Sequence, residues 1–221
     1  MHPSSRGLTA ALVSVSALFA LPAAAAVVST TGLTVITPPT SVHGGYLVAQ
    51  GLPSQVIFNE QQGVTLAGNL LTDTGVIAAG TRVDSQFFSV NGKPPIGQKG
   101  IWEDTSSTFD GRVLGVIFKD NLSAPYGTLF TASDFLGAPG TAYNETCRLC
   151  GFDPGTGDTV RIVGSTVFFH SRYSSPGDFA RIITAAAPEP SSWGLMVLGM
   201  GLAGAALRRG QASEKFRPNR R

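Results

Sequence analysis

The chain predicts an all-β protein: an antiparallel two-sheet sandwich, jelly-roll-like, flanked by an N-terminal signal helix and a C-terminal membrane helix. Three observations carry this. Short segments rich in Val, Ile, Phe and Thr recur through residues 27–187, some with strict alternation. Gly and Pro separate them at the spacing of a sandwich. No long amphipathic helical pattern interrupts them, so an α/β alternative has no support.

Met1–Ala26 reads as a secretory signal peptide. Arg6 supplies the positive start, Leu8 to Leu21 the apolar stretch, and Pro22-Ala23-Ala24-Ala25-Ala26 a small-residue cleavage region. Cleavage after Ala24 or after Ala26 fits equally, and the apolar stretch is short for a membrane span. No Cys follows it, which disfavours a lipoprotein anchor.

Residues 27–187 match a single exported domain, long enough to bury about two-thirds of its unfolded surface. Leu33–Thr37, Gly45–Ala49, Gln55–Phe58 and Val64–Thr72 are strand candidates. Arg82–Val90 alternates, with Val83, Ser85, Phe87 and Ser89 on one face and Asp84, Gln86, Phe88 and Val90 on the other. Val113–Phe118 is a continuous apolar run, the pattern of a central strand covered on both faces. A short helix is expected at Ser133–Leu136, capped by Ser133 or Thr131 and terminated by Gly137. Val160–Phe169 reads as a hairpin turning near Gly164-Ser165. Phe179–Ala186 is the last strand and feeds directly into the tail.

Charge divides the chain unevenly. Between 27 and 187 there are nine Lys and Arg against twelve Asp and Glu, a net of −3. The basic pI of the whole chain therefore comes from its end, and nucleic-acid binding loses its compositional support. After Leu207 come Arg208, Arg209, Lys215, Arg217, Arg220 and Arg221 against Glu214 alone, six minus one, or +5.

That end has an ordered three-part structure. Pro188-Glu189-Pro190 is an extended spacer with one exposed carboxylate, because proline fixes φ and biases its predecessor away from helix. Trp193 to Leu207 carries no charge and spans roughly 22 Å as a helix, short of the ~30 Å hydrocarbon core. Ser191, Ser192 and snorkelling Arg208 and Arg209 extend it to a thin span, with Trp193 at the interface. The positive end stays cytoplasmic, leaving Pro-Glu-Pro on the outer face of the inner membrane.

Tripeptide, apolar run and basic stop in this order resemble the PEP-CTERM tail of Gram-negative exported proteins. The resemblance covers 188–209, and Gly210–Arg221 is longer than the usual few basic residues; it reads as a solvated cytoplasmic tail. It implies that Pro188, Glu189 and Pro190 are recognised by an exosortase-type membrane protease, Trp193–Leu207 is a transient inner-membrane anchor, and Arg208 and Arg209 are the stop. Sec-type export machinery and signal peptidase would act at the other end, and exopolysaccharide is the implied matrix partner. Gly80–Ser85 and Ser175–Thr184 resemble, more loosely, the β-rich bodies attached to such tails, which brings no mechanism.

Cys147-Arg148-Leu149-Cys150 is the only cysteine pair. The oxidising periplasm makes a local disulfide its simplest state; free thiols, or a metal or redox role, are the alternatives. The glycines and proline that follow argue for a loop rather than a redox helix. Asp153-Pro154-Gly155-Thr156-Gly157-Asp158 offers oxygen ligands but lacks calcium-loop spacing, so a turn is expected and no metal is assigned. Glu60, Glu103, Asp104 and Glu145 are carboxylates of the kind that line a β-domain surface, and His43 and His170 are its only histidines. No nucleophile elbow, phosphate loop or zinc-protease motif is present, so neither an enzyme nor a cofactor is expected. Trp102, Tyr126, Tyr143, Phe152 and Tyr173 sit in loop-like contexts. They either stack on sugar rings, Trp102 with Glu103 and Asp104 foremost, or cap the core.

The reading is an exported, exosortase-sorted envelope or extracellular-matrix protein, non-enzymatic and associated with exopolysaccharide. The alternatives are a cell-surface carbohydrate-binding module and, third, an exported hydrolase.

Overall fold

In the computed structural model, residues 27–43, 50–53, 55–90, 102–119, 128–143, 151–152, 157–172, 177–186 and 196–204 are described. The signal segment, Gly45–Ala49, Cys147, Cys150, Pro188, Glu189, Pro190, Trp193, Arg208, Arg209 and the basic tail lie outside them.

Twelve strands are seen among these residues. They are β1 (Val27–Thr31), β2 (Thr34–Val35), β3 (Gln55–Asn59), β4 (Val64–Thr65), β5 (Leu70–Thr72), β6 (Gly75–Ile77), β7 (Arg82–Val90), β8 (Trp102–Phe109), β9 (Val113–Ile117), β10 (Thr159–Val163), β11 (Thr166–Arg172) and β12 (Asp178–Ala185). One helical turn, α1 (Thr128–Ala132), leads into a 3-10 turn at Asp134–Leu136. The fold is all-β, as the sequence pattern predicts.

Four strands make one sheet in the order β1-β8-β11-β10. The other sheet runs β2-β3-β7-β12-β9, with β4 also on β7, and β5-β6 is a separate hairpin. Pairing is antiparallel except for β2 with β3, which is parallel and departs from the expected all-antiparallel pattern.

The two sheets share a core. Ile57, Phe88, Val90, Ala180 and Ile182 from the larger sheet pack with Phe109, Val167 and Phe169 from the smaller, and the Phe88 and Phe169 rings stack 4.3 Å apart, nearly parallel. The alternation of β7 works in both directions. Phe88 and Val90 face the smaller sheet, while Val83 and Phe87 face two further clusters built with Phe130, Ala138 and Leu136. The larger sheet is therefore the middle layer, which explains why β7 and β12 are buried almost throughout.

Several predicted elements take a different form. Val113–Phe118 is not a central strand. β9 ends the larger sheet, and its apolar run reflects cover on both faces. Its outer edge is closed by the β5–β6 turn: Asp73 N–H donates to Val116 O at 3.0 Å, and Val116 N–H donates to Thr74 Oγ1 at 3.0 Å. Val64–Thr72 splits into β4 and β5 because Leu66 exchanges backbone bonds with Gly80 and Thr81 and turns the chain. Leu33–Thr37 shortens to β2. The expected short helix is the 3-10 turn Asp134–Leu136, set between Ser133 and Gly137 and preceded by α1, but the Ser133 hydroxyl makes no capping bond and instead donates to Phe130 O. Gly137 does not end the helix in a left-handed conformation. Its backbone is extended, and a Cβ there would lie 2.8 Å from the Tyr143 ring.

The hairpin holds. Val163 pairs with Thr166 across Gly164-Ser165, and Gly164 has φ 61°, the conformation that a two-residue hairpin turn asks of it. β12 follows the predicted last strand to within a residue at each end.

Candidate functional site

The densest polar constellation among the described residues lies inside the protein. Glu60 follows β3, and Arg181 sits mid-way along β12; neither side chain is exposed at all. Arg181 Nε donates to Glu60 Oε2 at 2.9 Å and its Nη2 donates to Oε1 at 3.0 Å, a two-pronged pairing that uses both carboxylate oxygens. Ser85 Oγ, from β7, donates to Glu60 Oε2 at 2.5 Å. The third guanidinium nitrogen donates to Ser133 Oγ at 2.6 Å and Phe130 O at 3.3 Å, with Asp134 Oδ1 at 3.5 Å. Phe87, Phe130 and Tyr143 present their rings to the cation, Tyr143 closest at 5.2 Å.

Tyr143 completes this cluster. Its phenolic oxygen accepts from Ala138 N–H at 2.8 Å. Burial, and then the charge of Glu60 and a hydrogen bond to it, push the phenol pKa far above the usual tyrosine value, so it stays protonated. Chemically the cluster is saturated. The carboxylate and guanidinium atoms engage one another and the hydroxyls of Ser85 and Ser133, with neither charged side chain of the pair exposed.

Glu60 is not the surface carboxylate that its place in a β-domain predicts. It is buried because the chain after β3 turns over β7, where Glu60 N–H donates to Ser85 O at 2.8 Å. Ser85 and Arg181 belong to the Gly80–Ser85 and Ser175–Thr184 stretches, which the fold brings side by side: Ile183 pairs with Ser85 and Arg181 with Phe87. Nothing local in the sequence links Glu60 to Arg181, 121 residues away.

A second group lies on the outer face of the smaller sheet. His170 Nδ1 is 2.6 Å from Asp104 Oδ1, directly across the β8–β11 ladder, with 42% and 87% of the side chains exposed. Arg161 lies over the Phe168 ring at 4.0 Å. Ser106, Thr108 and Thr166 continue this face, and Thr108 and Thr166 share a hydrogen bond of 2.9 Å. The ladder reaches Trp102 opposite Arg172. Trp102 is thus the first residue of a strand rather than a loop residue, an element hidden by the polar composition of Trp102–Phe109.

Two other aromatic candidates pack in or against the core, Phe152 within it and Tyr143 partly buried beside it. Phe152 is fully buried against Phe88, Phe118 and Phe169, and Tyr143 packs edge-on against Phe87. Tyr126 and Tyr173 lie outside the described residues, as do Glu145 and Asp153. Asp158 is buried, and among the described residues no group of three or more His, Cys, Asp or Glu is placed to hold a metal ion.

An apolar groove of about 340 Å³ runs between the segment 64–71 and the helical turn, with Leu71 and Phe135 exposed on its rim. It carries no titratable side chain.

At the other end of the chain, residues 196–204 are helical, and Met196, Val197, Leu198, Met200 and Leu202 are exposed. Among the described residues no helix is long and apolar enough to cross a membrane. The β-rich body lies within one compact unit, Ala23–Pro188. Its last strand ends at Ala185, and Ala186 N–H still bonds to Arg82 O at 3.2 Å.

Comparison with known proteins gives a match that begins just after the last strand. The model of the PEP-CTERM protein-sorting motif matches residues 186–210. No curated protein and no solved structure matches the chain. The chain carries a PEP-CTERM protein-sorting motif, joined directly to the last strand of a β-rich body.

Proposed function

We propose that this protein is an exported, exosortase-processed component of the cell envelope or extracellular matrix, non-enzymatic and associated with exopolysaccharide. The observation that carries the reading is the position of the sorting motif. It begins at residue 186, immediately after β12 ends, so a cut near Pro188-Glu189-Pro190 releases the body without severing a strand. Before that cut, the apolar run from Trp193 to Leu207 anchors the precursor in the inner membrane with Arg208 and Arg209 inside. The saturated Glu60–Arg181 cluster supports a structural role, since its polar atoms are engaged within the fold.

The test is mass spectrometry of the native protein from membrane, surface and medium fractions, reading both termini. The expected exported form lacks the residues after the Pro-Glu-Pro. Replacing Pro188, Glu189 and Pro190 together by Ala should hold the full-length precursor in the inner membrane. Protein outside the cell with an intact C-terminus overturns the reading.

A second reading, a carbohydrate-binding module with the same destination, draws on the outer face of the smaller sheet. There hydroxyls, the His170–Asp104 pair and the Arg161–Phe168 stack lie together in one plane. Specific glycan binding that is lost in Trp102→Ala would favour it.

A further inference from the structure

Among the described residues the smaller sheet has two edges that no further strand pairs. Among the described residues β1 pairs only with β8 and β10 only with β11, so one side of each strand presents backbone N–H and C=O groups to no other strand. The larger sheet is treated differently. Its β9 edge is covered by the β5–β6 turn, and its β2 edge is two residues long.

The hydrophobic core is also unfinished at these same two edges. The residues that pack against the inter-sheet cluster while remaining only partly buried are Val27 on β1 and Val160 and Ile162 on β10. Beside them Val28 and Val163 are 62% and 54% exposed. Edge strands are ordinarily guarded by Lys, Pro or a strong bulge. Here β1 is Val-Val-Ser-Thr-Thr with one irregularity after Val27, and β10 is Thr-Val-Arg-Ile-Val. The single charge in either strand is Arg161, whose guanidinium is drawn over its own Phe168.

Strand direction says what fits. All three pairings in the sheet are antiparallel and the strands number four, so β1 and β10 run in opposite directions. A second copy shifted sideways in the same orientation then offers its β1 to β10 as an antiparallel neighbour. The strands match in length at five residues each. The Gly164-Ser165 turn bonds Val163 C=O to Thr166 N–H, and alternation along the ladder leaves the N–H and C=O of Val160 and Ile162 pointing outward.

We propose that copies of this protein assemble edge to edge, β10 of one against β1 of the next, extending the four-stranded sheet across molecules. Such a contact joins two different surfaces and does not close on itself, so it builds an open-ended array. It also covers Val27, Val160 and Ile162, completing the core at each junction. A glycan on the sheet face would leave both edges as they are.

Sedimentation velocity of the full chain in mild detergent tests this. The wild type should form a series of species that lengthens with protein concentration. Ile162→Pro removes an outward donor, and Val28→Lys places a charge on the other edge; each alone should give monomers with an unchanged circular dichroism spectrum. If the proline variant fails to fold, Thr159→Lys with Val163→Lys replaces it on the exposed side of β10. Mixing a β10-blocked with a β1-blocked variant should yield a one-to-one dimer and nothing larger. The proposal is overturned by a wild type that stays monomeric at every concentration. It is equally overturned by a β1-blocked variant that still dimerises, which means symmetric β10 pairing, or by assembly that ignores every edge substitution, which means association through the tail.

Discussion

Arg181 grips Glu60 through both carboxylate oxygens, at 2.9 and 3.0 Å, with neither side chain exposed to solvent. The pair ties the end of β3 to β12 across β7, and through Ser133 and Phe130 it also fixes the helical turn to the larger sheet. A buried ion pair of this kind is a poor source of net stability, because desolvation offsets the attraction. Its force lies in what happens when one half is missing.

Arg181→Met should therefore destabilise the body by about 3–5 kcal/mol, since it leaves the Glu60 carboxylate buried without its counter-charge. Glu60→Gln should cost less than Glu60→Ala, because it keeps an acceptor for Ser85 and the guanidinium. Glu60→Leu combined with Arg181→Met should be more stable than Arg181→Met alone. A urea-denaturation double-mutant cycle reads this as coupling, and additive losses would show that the pair acts as two independent residues.

The phenol of Tyr143 sets a pH dependence. Its pKa is raised in the folded state, chiefly by burial and then by Glu60, so folding favours the protonated form. In the unfolded chain it titrates near the usual value of about 10. Below that value the contribution to stability is complete. As pH rises past it the unfolded state loses its proton first, and stability falls. Melting temperature measured from pH 8 upward should decline above about pH 10. Tyr143→Phe should start lower by about 1–3 kcal/mol, from the lost partner of Ala138 N–H, and decline less steeply.

The strands that were legible in the sequence are those whose own side chains form a face. Arg82–Val90, the hairpin around Gly164-Ser165 and the last strand fall in this class, because Val, Ile and Phe recur there with strand periodicity. β8 was not, since its inward positions include Thr105 and Ser107. These small polar residues are buried all the same, so the strand itself shows no hydrophobic alternation. The apolar run of β9 reported cover on both faces, which an end strand has here as fully as a central one. The Glu60–Arg181 pair depends on a sheet order that no local signal encodes. The sorting tail, by contrast, is legible because its parts are contiguous in the chain.

Gly111 marks a backbone contact that tolerates no side chain. A Cβ there would collide with the Ala185 carbonyl at the end of β12, where Ala185 N–H also donates to Arg112 O at 2.8 Å. Gly111→Ala should cost about 1–3 kcal/mol, because a backbone atom has to move. Gly68→Ala, with nothing within 4 Å of the added methyl, is the control and should change stability by no more than about 0.5 kcal/mol. Thermal melts of both variants decide it, and equal losses would mean that the β12 terminus yields freely.

Asp73 should prove the residue that closes the β9 edge. Its Oδ2 accepts from Phe118 N–H at 2.7 Å and from Lys119 N–H at 2.9 Å, while its own N–H donates to Val116 O. Asp73→Ala leaves the two amides beyond β9 without this acceptor and should cost about 1–3 kcal/mol. Asp73→Asn keeps one neutral acceptor and should recover part of that loss. Hydrogen exchange gives the sharper readout, because a purely global effect would speed all amides together. The expected pattern is faster exchange at Phe118 and Lys119, with Ile182 and Ile183 on the adjoining β12 unchanged under conditions of local opening. Uniform acceleration across both strands would show that Asp73 contributes only to overall stability and that the edge is closed by the β5–β6 backbone alone.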